Sequence, residues 1–226
     1  MKTYLVSGID TDIGKSVATG MMARFLHRAG RGVITVKMVQ TGNLDLSEDI
    51  VRHRELMGTG LLPEDEERLT MPQIFRFPAS PHLAAKLENR VLDLDRIDRC
   101  TELLAQKFEI VLLEGAGGLA VPLTEELLTV DYAAERKLPV ILVTSGRLGS
   151  LNHTIMSLEM LSKRAVPLAG IVYNWCREAD PVIDEDSFRM TALWKARYGY
   201  AAAPLVRLGK VTREHCPEPD FSPLFS

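Results

Sequence analysis

Tyr4-Leu5-Val6-Ser7-Gly8-Ile9-Asp10-Thr11-Asp12-Ile13-Gly14-Lys15-Ser16 decides how the rest of the chain is read. A short apolar run leads into a loop bounded by Gly8 and Gly14, and the Gly-Lys-Ser end opens a stretch with helical patterning. That strand–loop–helix order is the context in which a polyphosphate can be cradled. Backbone N–H groups of the loop and the positive end of the following helix can surround the negative charges. Lys15 can bridge the outer phosphates, and Ser16 can offer a hydroxyl to Mg²⁺, which favours hard oxygen ligands. The spacing departs from the strict Walker A pattern, because Ile9 stands where that pattern needs a small residue and Gly8 sits one position earlier. The bland alternative is a glycine turn capping a helix.

Outward from this loop, short apolar runs recur at Tyr4 to Ser7, Val33 to Met38, Ile110 to Leu113, Val140 to Thr144 and Ala169 to Tyr173. Between them lie helical patterns, such as Leu94, Ile97 and Leu104 after the possible N-cap Asp93, and Ile155, Leu158 and Leu161 after Asn152. This alternation predicts an α/β fold, a mostly parallel sheet with helices on both faces. At 226 residues the chain has room for one sizeable domain, read here as 1–226. The segment from Gly58 to Pro81, with four prolines and an acidic cluster at Glu64 to Glu67, reads as an irregular connection or lid. The tail from Thr212 to Ser226 shows little periodicity and reads as partly loose.

Bulk properties exclude several functions. A formal net charge of −3 provides no basic field for nucleic acid, and no run approaches the length of a membrane span. Cys100, Cys176 and Cys216 are odd in number and lack paired spacing, so they read as reduced thiols of a cytoplasmic protein rather than a disulfide framework or a zinc site.

In open parallel sheets ligands sit beyond the carboxyl ends of the strands, so the residues trailing each run carry the chemistry. Lys37 in Val36-Lys37-Met38-Val39-Gln40-Thr41-Gly42 could hold an anionic substrate group and offset charge developing in phosphoryl transfer. Glu114 in Glu114-Gly115-Ala116-Gly117-Gly118 could reach a metal, while the glycines let backbone approach a small substrate. Asn174 presents a donor and an acceptor, as an adenine edge requires, or is simply a turn residue after a strand.

These segments together resemble the dethiobiotin synthetases, phosphate-loop (P-loop) ligases of biotin synthesis. Gly8-x-Asp10-Thr11-x-x-Gly14-Lys15-Ser16 is similar to that family's variant loop. The Lys37 segment is similar to its Lys-Pro-Val-x-Ser/Thr-Gly, with Met38 in place of proline. The Glu114 segment matches its Glu-Gly-Ala-Gly-Gly. Ser80-Pro81-His82 and Leu148-Gly149-Ser150-Leu151-Asn152-His153 match two further segments. His82 and His153 are read as structural.

The resemblance implies a single-domain P-loop NTPase fold that uses ATP and Mg²⁺. It implies that Lys15, Lys37 and Thr11 are catalytic, that Asp12, Ile13, Gly14, Lys15 and Ser16 hold the nucleotide phosphates, and that Asn174 and Pro204 meet the base. Ser16, Asp49 and Glu114 would bind the metal, with Glu48 or Asp45 as substitutes for Asp49. Asp12, Thr41, Gly117 and Gly118 would face the substrate, and Gly149, Leu151 and Asn152 would bind its carboxylate tail across a homodimer interface. Asp12 stands where the family more often has Glu. The substrates implied are 7,8-diaminopelargonic acid, CO₂ and ATP. Rival readings are a nucleotide-binding paralogue without ring closure, a ParA- or MinD-like ATPase switch, which carries a second lysine where this chain has Asp10, and the amidoligase of cobalamin synthesis, whose glutaminase domain has no room here.

Overall fold

The apolar runs become strands and the amphipathic stretches between them helices. The computed structural model describes residues 1–175, 179–212 and 214–226. The chain runs through β1 (Lys2–Gly8), α1 (Lys15–Arg28), β2 (Val33–Lys37), β3 (Gln40–Thr41), α2 (Glu48–Met57), α3 (Pro63–Glu66), β4 (Ile74–Phe75), α4 (Pro81–Leu87) and α5 (Leu94–Lys107). It continues through β5 (Ile110–Gly118), α6 (Thr129–Glu135), β6 (Val140–Ser145), α7 (Ser150–Lys163), β7 (Leu168–Asn174), α8 (Pro181–Arg197) and β8 (Leu205–Leu208), and closes on a 3-10 turn at Ser222–Phe225.

Among the described residues, six strands pair in the order β2-β5-β1-β6-β7-β8. All five pairings are parallel. Runs of successive residues such as Ile110 to Leu113 and Val140 to Val143 are fully buried. Side chains along a strand alternate between faces, so both faces of the sheet must be covered, as the unbroken apolar runs require. β1 lies at the point where the strand order reverses, with β5 on one side and β6 on the other. The crevice beyond its carboxyl end is therefore where a ligand belongs.

Two expectations are corrected. Of the two readings of the 58–81 segment, the irregular connection holds and the lid does not, because the segment is packed against β2 and α2. Arg54, 1% exposed, donates through Nε and Nη2 to the two carboxylate oxygens of Asp65 at 2.8 and 2.7 Å. Thr70 and Gln73 give their carbonyls to the amides of Lys37 and Gln40, which docks β4 beside β3. One member of the acidic cluster, Asp65, is thus the buried partner of a buried guanidinium.

The carboxyl-terminal tail is also anchored. Phe221, Leu224 and Phe225 are buried, with Phe225 edge-on to Tyr4 at 5.4 Å and Phe221 edge-on to Phe25 at 5.9 Å. The prolines of the tail hide its packing role because they remove any regular period. Cys100 and Cys216 are free thiols, whereas Cys176 lies outside the described residues. Among the described residues no helix is long and apolar enough to cross a membrane.

Candidate active site

The loop after β1 is built around two glycines. Gly14, the N-cap of α1, has φ 87°, a left-handed value that costs other residues, and a Cβ there would lie 2.0 Å from Asn174 Nδ2. At Gly8 a Cβ would come within 2.9 Å of the Asp10 carbonyl, so the first glycine is needed one position before the strict pattern because the loop folds back on it there. Asn174 Nδ2 donates to the Ile13 carbonyl at 3.0 Å and braces the loop from the end of β7. Lys15 is buried, and its Nζ donates to the Asp10 carbonyl at 3.0 Å, which holds the ammonium in the mouth of the loop. Burial, then the nearby Lys37 charge, holds the Lys15 pKa below the ordinary lysine value against the pull of Glu114, Asp49 and Asp12. Asp12 occupies φ 56°, a conformation uncommon for a non-glycine residue.

The carboxyl ends of β2 and β5 meet this loop. Lys37 Nζ lies 2.6 Å from Asp49 Oδ2 and 2.9 Å from Glu114 Oε1. Ser16 Oγ lies 2.6 Å from Asp49 Oδ1 and 2.9 Å from Glu114 Oε1. Glu114 is fully buried, and its pKa is depressed because the Lys37 and His53 partners outweigh the upward push of burial. Burial alone would lower Lys37, yet the Glu114 and Asp49 carboxylates hold it above the ordinary lysine value. Lys15, Ser16, Lys37, Asp49 and Glu114 therefore share one site.

This donor set fits Mg²⁺. The single hydroxyl hydrogen of Ser16 can serve only one of the two carboxylates, so in its contact with the other, two oxygens meet with no hydrogen between them. Among the described residues no three His, Cys, Asp or Glu side chains form a metal cage. A hydroxyl and two carboxylates suit an ion that usually takes one or two carboxylates and leaves other positions to water and phosphate. Asp49 is brought to the cluster; Asp45 is exposed and lies 3.9 Å from Arg68 Nη2 instead.

Beyond the phosphate loop, Thr11 lies beside the end of β5, since a Cβ on Gly117 would sit 3.7 Å from its Oγ1. A Cβ on Gly118 would be 3.2 Å from the Gly8 carbonyl. Next to them opens a cleft of ≈ 300 Å³ lined by Asp10, Thr11, Gly118, Val121, His153 and Met160. Thr41 is partly buried at the end of β3, and the next residue, Gly42, packs on Pro78. Gly149, at φ 93°, starts α7 with no side chain capping it, and Leu151 and Asn152 follow in its first turn. Asn152 is therefore not the N-cap; it lies exposed within the first turn, because the left-handed Gly149 starts the helix before it.

Pro204 is not brought to the site. It precedes β8, its carbonyl pairs with the Ile171 amide, and it lines a hollow with Lys2, Pro139 and Leu168 at the amino ends of the strands. Because β8 runs parallel to β7, the segment on the loop side is Gly209 to Val211, and there Lys210 Nζ lies over the exposed Trp175 ring at 5.2 Å. Pro204, expected to meet the base, therefore lies at the opposite end of this strand from the phosphate loop.

Sequence reasoning missed His53, Thr35 and Arg147. His53 is fully buried, with Nε2 2.8 Å from Glu114 Oε2 and Nδ1 3.0 Å from Thr35 Oγ1. Its signal was available in the i, i+4 spacing from Asp49, which places both on one helix face. Arg147 Nη2 donates to Asp10 Oδ2 at 2.9 Å, a pairing between distant loops with no local signal.

A family described as an AAA domain matches residues 2–211. An ATP-dependent dethiobiotin synthetase BioD 2 of Pasteurella multocida is 47% identical over 87% of this chain and 92% of its own length. An ATP-dependent dethiobiotin synthetase BioD of Chlorobaculum tepidum is 48% identical over 90% of this chain and 85% of its own. Among solved structures, the signal recognition particle 54 kDa protein of Aeropyrum pernix in complex with GDP superposes with TM-score 0.58 at 18% identity, covering 99% of this chain and 44% of that one. A ParA family ATPase of Chlorobium tepidum gives TM-score 0.53 at 15% identity, covering 93% and 85%. The structural likenesses carry the P-loop NTPase fold alone, while the sequence relatives carry the family: the chain belongs to the ATP-dependent dethiobiotin synthetases.

Proposed function

We infer that this protein is an ATP-dependent ligase that closes the cyclic urea of dethiobiotin from 7,8-diaminopelargonic acid, CO₂ and ATP, releasing ADP and phosphate. The observation that carries the reading is the convergence of Lys15, Lys37, Ser16, Asp49 and Glu114 at the carboxyl ends of β1, β2 and β5. One substrate amine takes up CO₂ as a carbamate, the carbamate oxygen attacks the γ-phosphorus with ADP leaving, and the second amine then attacks the mixed anhydride and expels phosphate.

No protein nucleophile is required. Lys15 sits in the loop mouth where it would follow the transferring phosphoryl group, and Lys37, kept charged by its carboxylates, would hold the carbamate oxygen. Ser16, Asp49 and Glu114 would hold Mg²⁺, which when bound offsets charge on the phosphate oxygens. Thr11, Asp12, Thr41, Gly117 and Gly118 would orient the diamine end. The first turn of α7 at Gly149, Leu151 and Asn152 would take the carboxylate tail from a second copy of the chain. Met156, exposed on the wall of the cleft, and Leu148, exposed in the turn before α7, offer apolar surface for a second copy to cover, which supports that homodimer. Residues 1–226 act as one domain in this reading, in the cytoplasm.

The test is phosphate release from ATP. It should require both the diamine and bicarbonate, and Lys15→Ala or Lys37→Ala should abolish it. Hydrolysis indifferent to the diamine in folded protein would instead indicate a switch or an inactive paralogue.

A further inference from the structure

We propose that His53 is a positioning residue: it fixes the rotation of the Glu114 carboxylate so that only Oε1 faces the metal and phosphates. The proposal rests on the reading that Glu114 binds Mg²⁺. His53 and Glu114 are both fully buried, and the imidazole Nε2 lies 2.8 Å from Oε2, while Oε1 faces Ser16 and Lys37 at 2.9 Å each. The two oxygens of one carboxylate are thus committed to opposite sides. An ionised carboxylate accepts hydrogen bonds only, so Nε2 must carry its hydrogen.

The hydrogen is placed by what lies behind the ring. Arg54 Nη1 donates to Thr35 Oγ1 at 2.8 Å, which leaves the threonine hydrogen free to point at His53 Nδ1, 3.0 Å away. Nδ1 then accepts, and the ring donates through Nε2. Arg54 is itself pinned by the two oxygens of Asp65. The chain Asp65–Arg54–Thr35–His53–Glu114 thereby reaches from the packed 58–81 connection to the phosphate site and sets one oxygen of one ligand. Outer partners that orient a ligand in this way typically govern metal affinity by about 10- to 100-fold.

The experiment measures Mn²⁺ binding in the presence of ADP by electron paramagnetic resonance, and ADP binding in EDTA by calorimetry. Wild-type protein is expected to bind Mn²⁺ and Glu114→Gln to bind it far more weakly. If wild type and Glu114→Gln do not differ, the metal reading itself fails. Given that difference, His53→Leu should weaken Mn²⁺ by about 10- to 100-fold while metal-free ADP binding stays at the wild-type level. His53→Gln, which keeps an N–H donor, should recover most of the loss. A folded His53→Leu that binds Mn²⁺ like wild type overturns the proposal and leaves the metal reading standing. So does an equal loss of metal-free ADP binding, the mark of a merely structural role. Should His53→Leu not fold, His53→Gln and His53→Asn carry the same comparison, because both keep an N–H donor but only the longer glutamine side chain reaches towards Glu114 Oε2.

Discussion

Lys37 and Glu114 are register partners on the adjacent parallel strands β2 and β5, and the ammonium of one lies 2.9 Å from Oε1 of the other. Two charges that would each be costly to bury alone are therefore placed side by side by strand pairing itself, and each shifts the other's pKa in the direction that favours the ionised form.

Breaking that pair leaves a charge buried without its partner, at a cost of about 3–5 kcal/mol. Lys37→Met should lose about that much stability in urea unfolding at unchanged m-value, and the double variant Lys37→Met with Glu114→Gln should recover the larger part. Equal stability of the single and double variants would mean that the pair does not act as a unit.

Most of the fold was legible because buried parallel strands leave unbroken apolar runs, as at Ile110 to Leu113, and because the glycine loop fixes which run comes first. The site was legible where function sits at strand ends: Lys37, Glu114 and Asn174 all close or follow such a run. What escaped has a common cause. Asp65, Thr35, Arg147 and the Phe221 to Phe225 tail act through partners distant in sequence, and one chain contains no record of such pairings. Pro204 was misplaced because β8 has only four residues and no pattern to show which of its ends faces the loop. His53 alone carried a readable signal, its helical spacing from Asp49.

Asp65 links stability to pH. Burial raises its pKa, but the Arg54 and Thr70 hydrogen bonds and the Arg54 charge outweigh that and hold it below the ordinary carboxylate value. A depressed folded-state pKa means a contribution fully present above the unfolded value of about 3.9 and lost as pH falls through the folded one. Asp65→Asn should therefore be less stable at neutral pH, by about 3–5 kcal/mol, and should show a shallower loss of stability in acid. Urea midpoints from about pH 2.5 to about pH 7, which bracket the unfolded carboxylate value of about 3.9, read both effects; an acid slope equal to wild type would exclude the linkage.

At Gly14 two separate penalties should add up. Alanine there meets Asn174 Nδ2 at 2.0 Å and also carries φ 87°, a conformation costing about 1–2 kcal/mol by itself. Asn174→Ala in the same chain removes the collision but not the dihedral strain, so Gly14→Ala with Asn174→Ala should regain only part of the stability and remain about 1–2 kcal/mol below Asn174→Ala alone. Full recovery would show that the backbone at this position tolerates a side chain, contrary to the left-handed geometry.

The Arg147–Asp10 pair should matter for substrate and hardly at all for stability. Both side chains are about two-fifths exposed, and an ion pair of that kind is worth about 0–1 kcal/mol. Yet it ties the turn leading into α7 to the phosphate loop, and a displacement of about 1 Å in a positioning element can cost about a hundredfold in rate. Arg147→Ala should thus leave the unfolding midpoint nearly unchanged, raise KM for diaminopelargonic acid by about tenfold or more, and leave ATP affinity close to wild type. Asp10→Asn combined with Arg147→Ala should add little beyond either change alone, because both remove the same tether. Steady-state kinetics on the three variants decide it: a loss falling on ATP rather than on the diamine would assign the pair to the nucleotide side of the site.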